Sequence, residues 1–512
     1  GSYTGIFAFT GSIGDTDGFV QRGPVSLVKD GASSMLYLSG GNAYTGSTII
    51  NTGVIQIASA SPFSIIPDRS SVVLANTAGV ALDLNGNSET LGSLSGGGSN
   101  GGNVLLTGTG ALTLGLDNVD AVFSGTITGG STGGLTKLGS GTQTLAGTTD
   151  FTGDVLIRSY GGQSGGGLIL SGGATLASSA KVRNAGWNTV FGVNSNQTIT
   201  SLTSTRNTIL ALGSGATLTT TYTNGTPTVI SGLADSDNTF RVIKLDSSTA
   251  GLAAGMLISG STGMTNATGI ILQIIDGNNV LINELPGATA TNIPTLTITP
   301  TSVLSSAMTG LGGFTKNGTG DLFLTGLSTY SGATTINAGT VWVGGGIWDG
   351  ARYAFQDVLS DNSQIVFANS GTQKLNFAVN ATNLTPFERV GSLSGGNGTS
   401  TTINLSALTT GGFGAGTIGT SIGALAIGGD NSTSTYNGQI FGAGGTWLIK
   451  EGSGTFTWNN AISDGPSFDG IVLVNQGGFK TTGAFGLDGS QTLFLQNNGG
   501  VFTSGVTVND AI

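Results

Sequence analysis

Gly313-Phe314-Thr315-Lys316-Asn317-Gly318-Thr319-Gly320 opens a stretch that runs through Leu322-Phe323-Leu324 and Thr329-Tyr330-Ser331-Gly332 to Thr335-Ile336-Asn337-Ala338-Gly339-Thr340-Val341. It recurs. Leu135-Thr136-Lys137-Leu138-Gly139-Ser140-Gly141 is followed by Phe151-Thr152-Gly153, and Leu448-Ile449-Lys450-Glu451-Gly452-Ser453-Gly454 by Thr455-Phe456-Thr457-Trp458. Leu27-Val28-Lys29-Asp30-Gly31-Ala32-Ser33 leads to Tyr44-Thr45-Gly46. Four of the chain's eight lysines sit in this one motif, so the lysine belongs to a repeat unit and not to scattered surface charge.

The repeat governs how the 512 residues are read, because a shared unit implies a body that grows by adding copies instead of a string of unrelated domains. Glycine is 92 residues against 9 prolines, with no three-residue period, which excludes collagen. With 38% hydrophobic and only 8% charged residues the chain is too apolar for a disordered glycine-rich linker. Short runs such as Ser71-Val72-Val73-Leu74, Val80-Ala81-Leu82-Asp83-Leu84, Asn103-Val104-Leu105-Leu106 and Ala111-Leu112-Thr113-Leu114 are each bounded by Gly, Asn or Ser. That is strand-and-turn punctuation, and no window keeps a helical period.

The lysine motifs are 108, 179 and 134 residues apart, and no linker divides them. Such spacing suits a parallel coil that tolerates inserted turns better than it suits a series of sandwich domains. At roughly 20–25 residues per turn and ~4.8 Å of rise, a coil of this length would extend on the order of 100 Å. Residues 239–299 break the pattern, since Ile270-Ile271-Leu272-Gln273-Ile274-Ile275 and Asn279-Val280-Leu281-Ile282 flank Asp276-Gly277-Asn278. Asp-Gly between apolar runs is a hairpin signal, foreign to a parallel coil. The expected organisation is a β-solenoid over 1–238, a small inserted antiparallel module over 239–299, and the solenoid continued over 300–512.

The Lys-x-Gly-x-Gly turn, the Thr/Leu strand after it, the Tyr-Thr/Ser-Gly step and the Ile-Asn-x-Gly strand resemble the autotransporter-associated β-strand repeat. Copies at Lys29, Lys137, Lys316 and Lys450 carry the resemblance; the first departs at Ser33 and the fourth at Pro466-Ser467-Phe468-Asp469-Gly470. Leu91-Gly92-Ser93-Leu94-Ser95-Gly96 and Val390-Gly391-Ser392-Leu393-Ser394-Gly395 fit the same pattern. The resemblance implies an all-β, right-handed parallel β-helix on a bacterial surface, within the passenger part of a secreted protein; it does not imply a catalytic activity, and none is expected. The membrane barrel of that family has no counterpart in this sequence.

With no His and no Cys, imidazole catalysis, Ser-His triads, disulfides and thiolate or histidine metal sites are excluded. The net charge of −10 argues against nucleic acid and anionic membrane, and no apolar run is long enough to span a bilayer. Acidic pairs at Asp15/Asp17, Asp117/Asp120 and Asp235/Asp237, with Asp246 nearby, lie among Gly, Asn and Ser and read as turn formers. Asp15 and Asp17 are the candidate calcium ligands; no other cofactor is expected.

The motif residues Lys29, Lys137, Gly139, Gly141, Lys316, Gly318, Gly320, Lys450, Gly452 and Gly454 are read as structural, with the ammonium groups on the surface near turns. Trp342, Trp348, Trp447 and Trp458 read as core or cap residues, with sugar stacking as the alternative. Both ends of the sequence fall inside repeats, so either the natural chain continues or another copy stacks end to end, and end-to-end stacking is the expectation. The leading function is an extracellular structural solenoid of a surface fibre, filament or sheath. The alternatives are an adhesin passenger binding surface glycans or other cells, and a carbohydrate-active β-helix, whether lyase, hydrolase or binding module.

Overall fold

The computed structural model describes residues 5–15, 23–32, 34–57, 65–129, 133–162, 164–205, 207–224, 228–237, 242–245, 252, 256–260, 269–274, 277, 279–282, 290–299, 301–344, 358–377, 387–405, 424–442, 446–459, 468, 470–481 and 492–495. Among these every regular element is a strand, and most strands pair in parallel. Asp17, Ser33, Asp246, Trp348, Pro466, Ser467, Asp469 and the stretch 496–512 lie outside the described residues. Two compact units can be distinguished, Gly1–Thr220 with Ser306–Gly312, and Thr221–Ser305 with Gly313–Ile512.

In the first unit successive turns of chain lay strands onto three parallel sheets. Val72–Leu74, Ala81–Asp83 and Glu89–Leu91 form one turn; Leu94–Gly96, Asn103–Leu105 and Leu112–Leu114 form the next, each strand pairing with its counterpart. This is the solenoid arrangement, and it follows from the period of the side chains. In a strand alternate residues face opposite ways, and here the inward set stacks in columns. One column runs Leu112, Leu135, Val155, Val182, Leu202; another runs Ile55, Leu82, Val104, Ile127. All are buried, and each contributes about 1.5–3 kcal/mol by leaving water.

Between the strands the chain must turn within a few residues while keeping contact with the turn below. Asn85, Asn118, Asn188, Asn207 and Asn431 adopt positive φ there, which Asn tolerates better than most side chains. Two of their side-chain amides also tie neighbouring turns: Ser140 N donates to Asn118 Oδ1 at 2.9 Å, and Ser453 N to Asn431 Oδ1 at 3.0 Å.

Strand Ala307–Gly310 adds in parallel to Ile209–Leu212, so the chain rejoins that sheet after nearly a hundred residues. In the second unit, strands from Thr228–Asp237 to Ala290–Thr299 pair antiparallel and close into a six-stranded barrel. Gly269–Ile274 and Asn279–Ile282 are antiparallel neighbours, as the Asp-Gly signal requires. Antiparallel pairing starts at Thr228, ahead of position 239; Gly232 and a run of small polar residues hide that strand from a pattern search. After Thr299 the second unit returns to parallel ladders, for example Gly313–Asn317, Thr334–Ile336 and Gln364–Phe367.

Candidate functional site

Each motif lysine occupies an inward position of its strand. Lys137 stands in the column Leu91, Leu114, Lys137, Ile157, with Asn184 beyond. Lys29 is followed by Ile50 and Leu74, Lys316 by Ile336 and Phe367, and Lys450 lies between Ile427 and Val474. The expectation that these ammonium groups sit on the surface is therefore corrected: Lys29, Lys137, Lys316 and Lys450 are 6%, 2%, 0% and 2% exposed. The physical reason is strand alternation. Leu27, Leu135, Phe314 and Leu448, two residues before each lysine, share its side of the strand, and all but half-buried Leu27 are core residues.

The stem thus fills one rung of an apolar column and the ammonium turns into the corner at the strand end. Lys316 Nζ donates to Gly318 O at 2.8 Å in its own turn and to Ala338 O at 2.7 Å in the next. Lys29 Nζ donates to Gly31 O at 3.1 Å, Thr52 O at 3.0 Å and Ser34 Oγ at 2.8 Å. Lys450 Nζ donates to Glu451 O, to Gly452 O at 2.9 Å and to Gln476 O at 3.3 Å. Thr52, Ala338 and Gln476 are the middle residues of Asn51-Thr52-Gly53, Asn337-Ala338-Gly339 and Asn475-Gln476-Gly477. The Lys-x-Gly and Asn-x-Gly parts of the repeat are two halves of one carbonyl cage, which clamps consecutive turns together.

The glycines have separate causes. Gly139, Gly318 and Gly452 have φ of 72°, 77° and 67°, the left-handed conformation that lets their carbonyls face the ammonium. Gly141, Gly320 and Gly454 are needed for close approach: a Cβ would stand 2.5 Å from Val119 O, 2.6 Å from Asn224 N and 2.0 Å from Ser432 O in the turn below.

Burial lowers the Lys137, Lys316 and Lys450 ammonium pKa from 10.5 to about 8, while nearby carboxylates oppose it: Asp117 and Asp120 at Lys137, Asp321 at Lys316, Asp430 and Glu451 at Lys450. Lys29 shifts the same way for the same reason, opposed by Asp30. At neutral pH these are charged groups donating to backbone carbonyls.

The Lys137 corner departs from the others. Arg158 replaces the Asn and makes the same bond, its N–H donating to Lys137 O at 3.0 Å. Tyr160–Gly165 is then inserted before Gly166, whose Cβ would meet Gly139 O and Gly141 O as that of Gly339 would meet Gly318 O and Gly320 O. Lys137 Nζ bonds Leu138 O and Gly139 O of its own turn. One turn further on Trp187 stands out from the surface, 61% exposed, with Tyr160 47% exposed beside Arg158. Trp187 is absent from the tryptophans singled out in the sequence; its neighbours Gly186 and Asn188 mark a corner, which was the available signal.

Asp15, Asp117 and Asp120 are turn ligands of the protein itself, whereas the turn expected at Asp235 and Asp237 is corrected to a strand. Asp15 accepts from Val25 N at 2.8 Å, Thr45 N at 2.8 Å and the Thr45 hydroxyl, and that hydroxyl bond leads the causes that hold its carboxyl below the usual range. Asp117 accepts from Ser93 Oγ at 2.6 Å and Asp120 from Thr142 N at 2.6 Å. Asp235 and Asp237 lie on an antiparallel strand. No cluster of three acidic residues able to hold a metal occurs among the described residues. Trp458 is core, its indole donating to Gly438 O at 2.8 Å, and Trp342 stacks on Phe323 at 6.1 Å.

A longer unit than the lysine motif is also repeated. Tyr44, Thr48 and Ser70 form a buried hydroxyl chain that ends on Gly46 O; Tyr330, Thr334 and Ser363 form the same chain, ending on Gly332 O. Glu89 then accepts from Ile66 N and Glu388 from Val358 N; Ser93 bonds Asp117 and Ser392 bonds Asp430. Lys29 to Lys137 and Lys316 to Lys450 are therefore two editions of one multi-turn block, one in each unit.

The family model described as passenger-associated-transport-repeat matches residues 27–57, 135–159 and 314–343. Each match contains one lysine corner. The adhesin BmaC autotransporter of Brucella suis biovar 1 (strain 1330) is 36% identical over 110 residues, a match covering 22% of this chain and 3% of the adhesin. No solved structure matches. The passenger-associated-transport-repeat thus matches three of the lysine corners by sequence, and the Lys450 corner has the same hydrogen-bond geometry.

Proposed function

We propose that this chain is a non-catalytic segment of an extracellular bacterial passenger protein. In this reading the parallel coil is right-handed, the antiparallel strands of 228–299 form a module inserted into it, and the coil presents adhesive surface outside the cell. The observation that carries it is the coincidence of the three repeat matches with three copies of one buried lysine corner. The corners bury their lysines, and Lys29, Lys316 and Lys450 tie consecutive turns together, so the repeat supplies a scaffold and leaves recognition to what is inserted in it. The autotransporter adhesin relative supports the same reading.

Surface labelling tests it. An antibody raised against the purified chain should label intact, unpermeabilised source cells, and brief protease treatment of those cells should remove the label. Labelling that needs permeabilisation would overturn it. Sedimentation velocity and electron microscopy of the same protein separate a monomeric passenger from the self-stacking fibre subunit expected from the sequence. A sharpening of either pattern on adding calcium would revive Asp15 as a ligand.

A further inference from the structure

We infer that the corner at Arg158, Tyr160 and Trp187 is a binding site for an acidic polysaccharide. The inference rests on the extracellular reading and names the ligand class. A groove of about 520 Å³ opens there, lined by Arg158, Ser159, Gly162, Trp187 and Thr205 among others.

The aromatic platform is exposed in side chain yet fixed in backbone. Trp187 N donates to Ser159 Oγ at 2.7 Å, and Trp187 O accepts from Gly165 N at 2.9 Å, so both the turn below and the inserted loop hold it. Beneath it Gly186 has no room for a Cβ, which would lie 2.3 Å from Thr189 Cγ2 and 2.5 Å from Ser159 N. An indole on a fixed backbone, with 61% of the residue in water, has only two side-chain torsions to order on binding, and its apolar face matches the C–H face of a pyranose.

Charge selects the kind of sugar. From Val155 to Ala234 the chain has no Asp or Glu and contains Arg158, Lys181, Arg183 and Arg206, whereas the rest carries 12 Lys and Arg against 26 Asp and Glu. Lys181 and Arg183 alternate with buried Val182 and Asn184 and so share the outer side of their strand. Arg183 pairs in register with Leu156, and Arg158 follows Ile157, whose partner is Asn184. Arg158 thus lines the groove with Trp187, and Arg183 lies on the adjacent turn, at the ~4.8 Å spacing of neighbouring strands. Guanidinium groups take carboxylate or sulfate in paired hydrogen bonds. An anionic group on a pyranose polymer meets both features at once.

Purified full-length chain would be titrated with polygalacturonate, heparin and neutral dextran, and with a single-stranded oligonucleotide. Binding to one or both acidic polysaccharides is expected, the pair distinguishing carboxylate from sulfate ester. It should weaken by about ten-fold in Trp187→Ala and in the Arg158→Ser/Arg183→Ser double variant. It should also weaken as salt rises from about 50 mM to about 500 mM. Tyr160→Ser is a second platform variant, and circular dichroism checks that each variant folds. Equal binding to dextran, preference for the oligonucleotide, no binding to either acidic polymer, or full binding by all the variants would overturn the inference. Because the titration uses purified protein, its outcome is independent of the surface-labelling result.

Discussion

The Lys316 and Lys137 corners start from the same Thr-Lys-x-Gly-x-Gly pattern, and the next turn makes them different. At Lys316 the following turn goes straight through Asn337-Ala338-Gly339, so Ala338 O reaches the ammonium and Gly339 closes over it. At Lys137 six residues enter between Ser159 and Gly166, the ammonium bonds its own turn, and Tyr160 and Trp187 stand in solvent. One corner is a clamp between turns; the other keeps the lysine and turns its outer side into a groove. A coil can acquire a recognition surface this way because each turn contacts mainly its neighbours, so an insertion disturbs little beyond them.

If that contrast is right, removing the two lysines should not cost the same. Lys316→Ala deletes a buried stem and leaves Gly318 O and Ala338 O without their donor, and it should lose roughly 3–5 kcal/mol. Lys137→Ala breaks no link to the next turn and should lose roughly 2–3 kcal/mol. Urea unfolding of the two variants side by side is the measurement, and equal losses would sink the distinction.

The glycines sharpen it at a smaller scale. A Cβ on Gly339 would stand 2.7 Å from Lys316 Nζ and 2.6 Å from Gly320 O at a φ of 73°, so Gly339→Ala should cost roughly 2–4 kcal/mol. Gly161 in the inserted loop has a φ of 62° with nothing within 4 Å of the same atom. Gly161→Ala should therefore cost only about 1 kcal/mol, the conformational strain alone. Comparable losses at the two sites would mean that backbone strain, and not the filled cage, sets the need for glycine.

The coil and its repeat were legible because they rest on local alternation and glycine punctuation, which a sequence displays directly. The lysine's burial was also written there, since Lys316 follows Phe314 by two and Lys137 follows Leu135 by two. Charge and strand period give opposite expectations there, and the period prevails because the long stem fills the apolar column while the ammonium finds carbonyls at the corner. The cage was not legible, since its second half comes from Thr52, Ala338 or Gln476, more than twenty residues on, and uses carbonyls that any residue could supply. Trp187 was hidden for a related reason: nothing local says that its turn lies over Ser159 and bonds the inserted Gly165.

Alkaline pH probes the clamp from another side. Folding lowers the Lys137, Lys316 and Lys450 ammonium pKa from 10.5 to about 8, so between those values the unfolded chain binds more protons than the folded one. The lysine contribution to stability must then rise with pH through that window, by at most about 1.4 kcal/mol per unit for each lysine. Tyr44 and Tyr330, pushed above 10 by burial, oppose this once pH exceeds about 10, because the unfolded chain then loses those protons first. The informative range is pH 8 to 9.5, where Lys316→Met should show a shallower rise than the parent. An identical slope in both proteins would mean that Lys316 does not titrate there.

The smallest stability effect belongs to the residue with the largest expected effect on binding. Trp187→Ala removes a side chain that lies mostly in water, while the backbone bonds of residue 187 to Ser159 and Gly165 remain available to alanine. The unfolding midpoint should then correspond to a change within about 0.5 kcal/mol, as for other surface substitutions. Trp458 is the control: it is 2% exposed, with its indole bonded to Gly438 O, and truncating it should cost roughly 3–5 kcal/mol. A large stability loss at Trp187 would make it a packing residue and remove the groove's claim to be a separate recognition surface. A negligible one leaves an exposed indole that the fold does not need, on the one lysine corner that an insertion has opened.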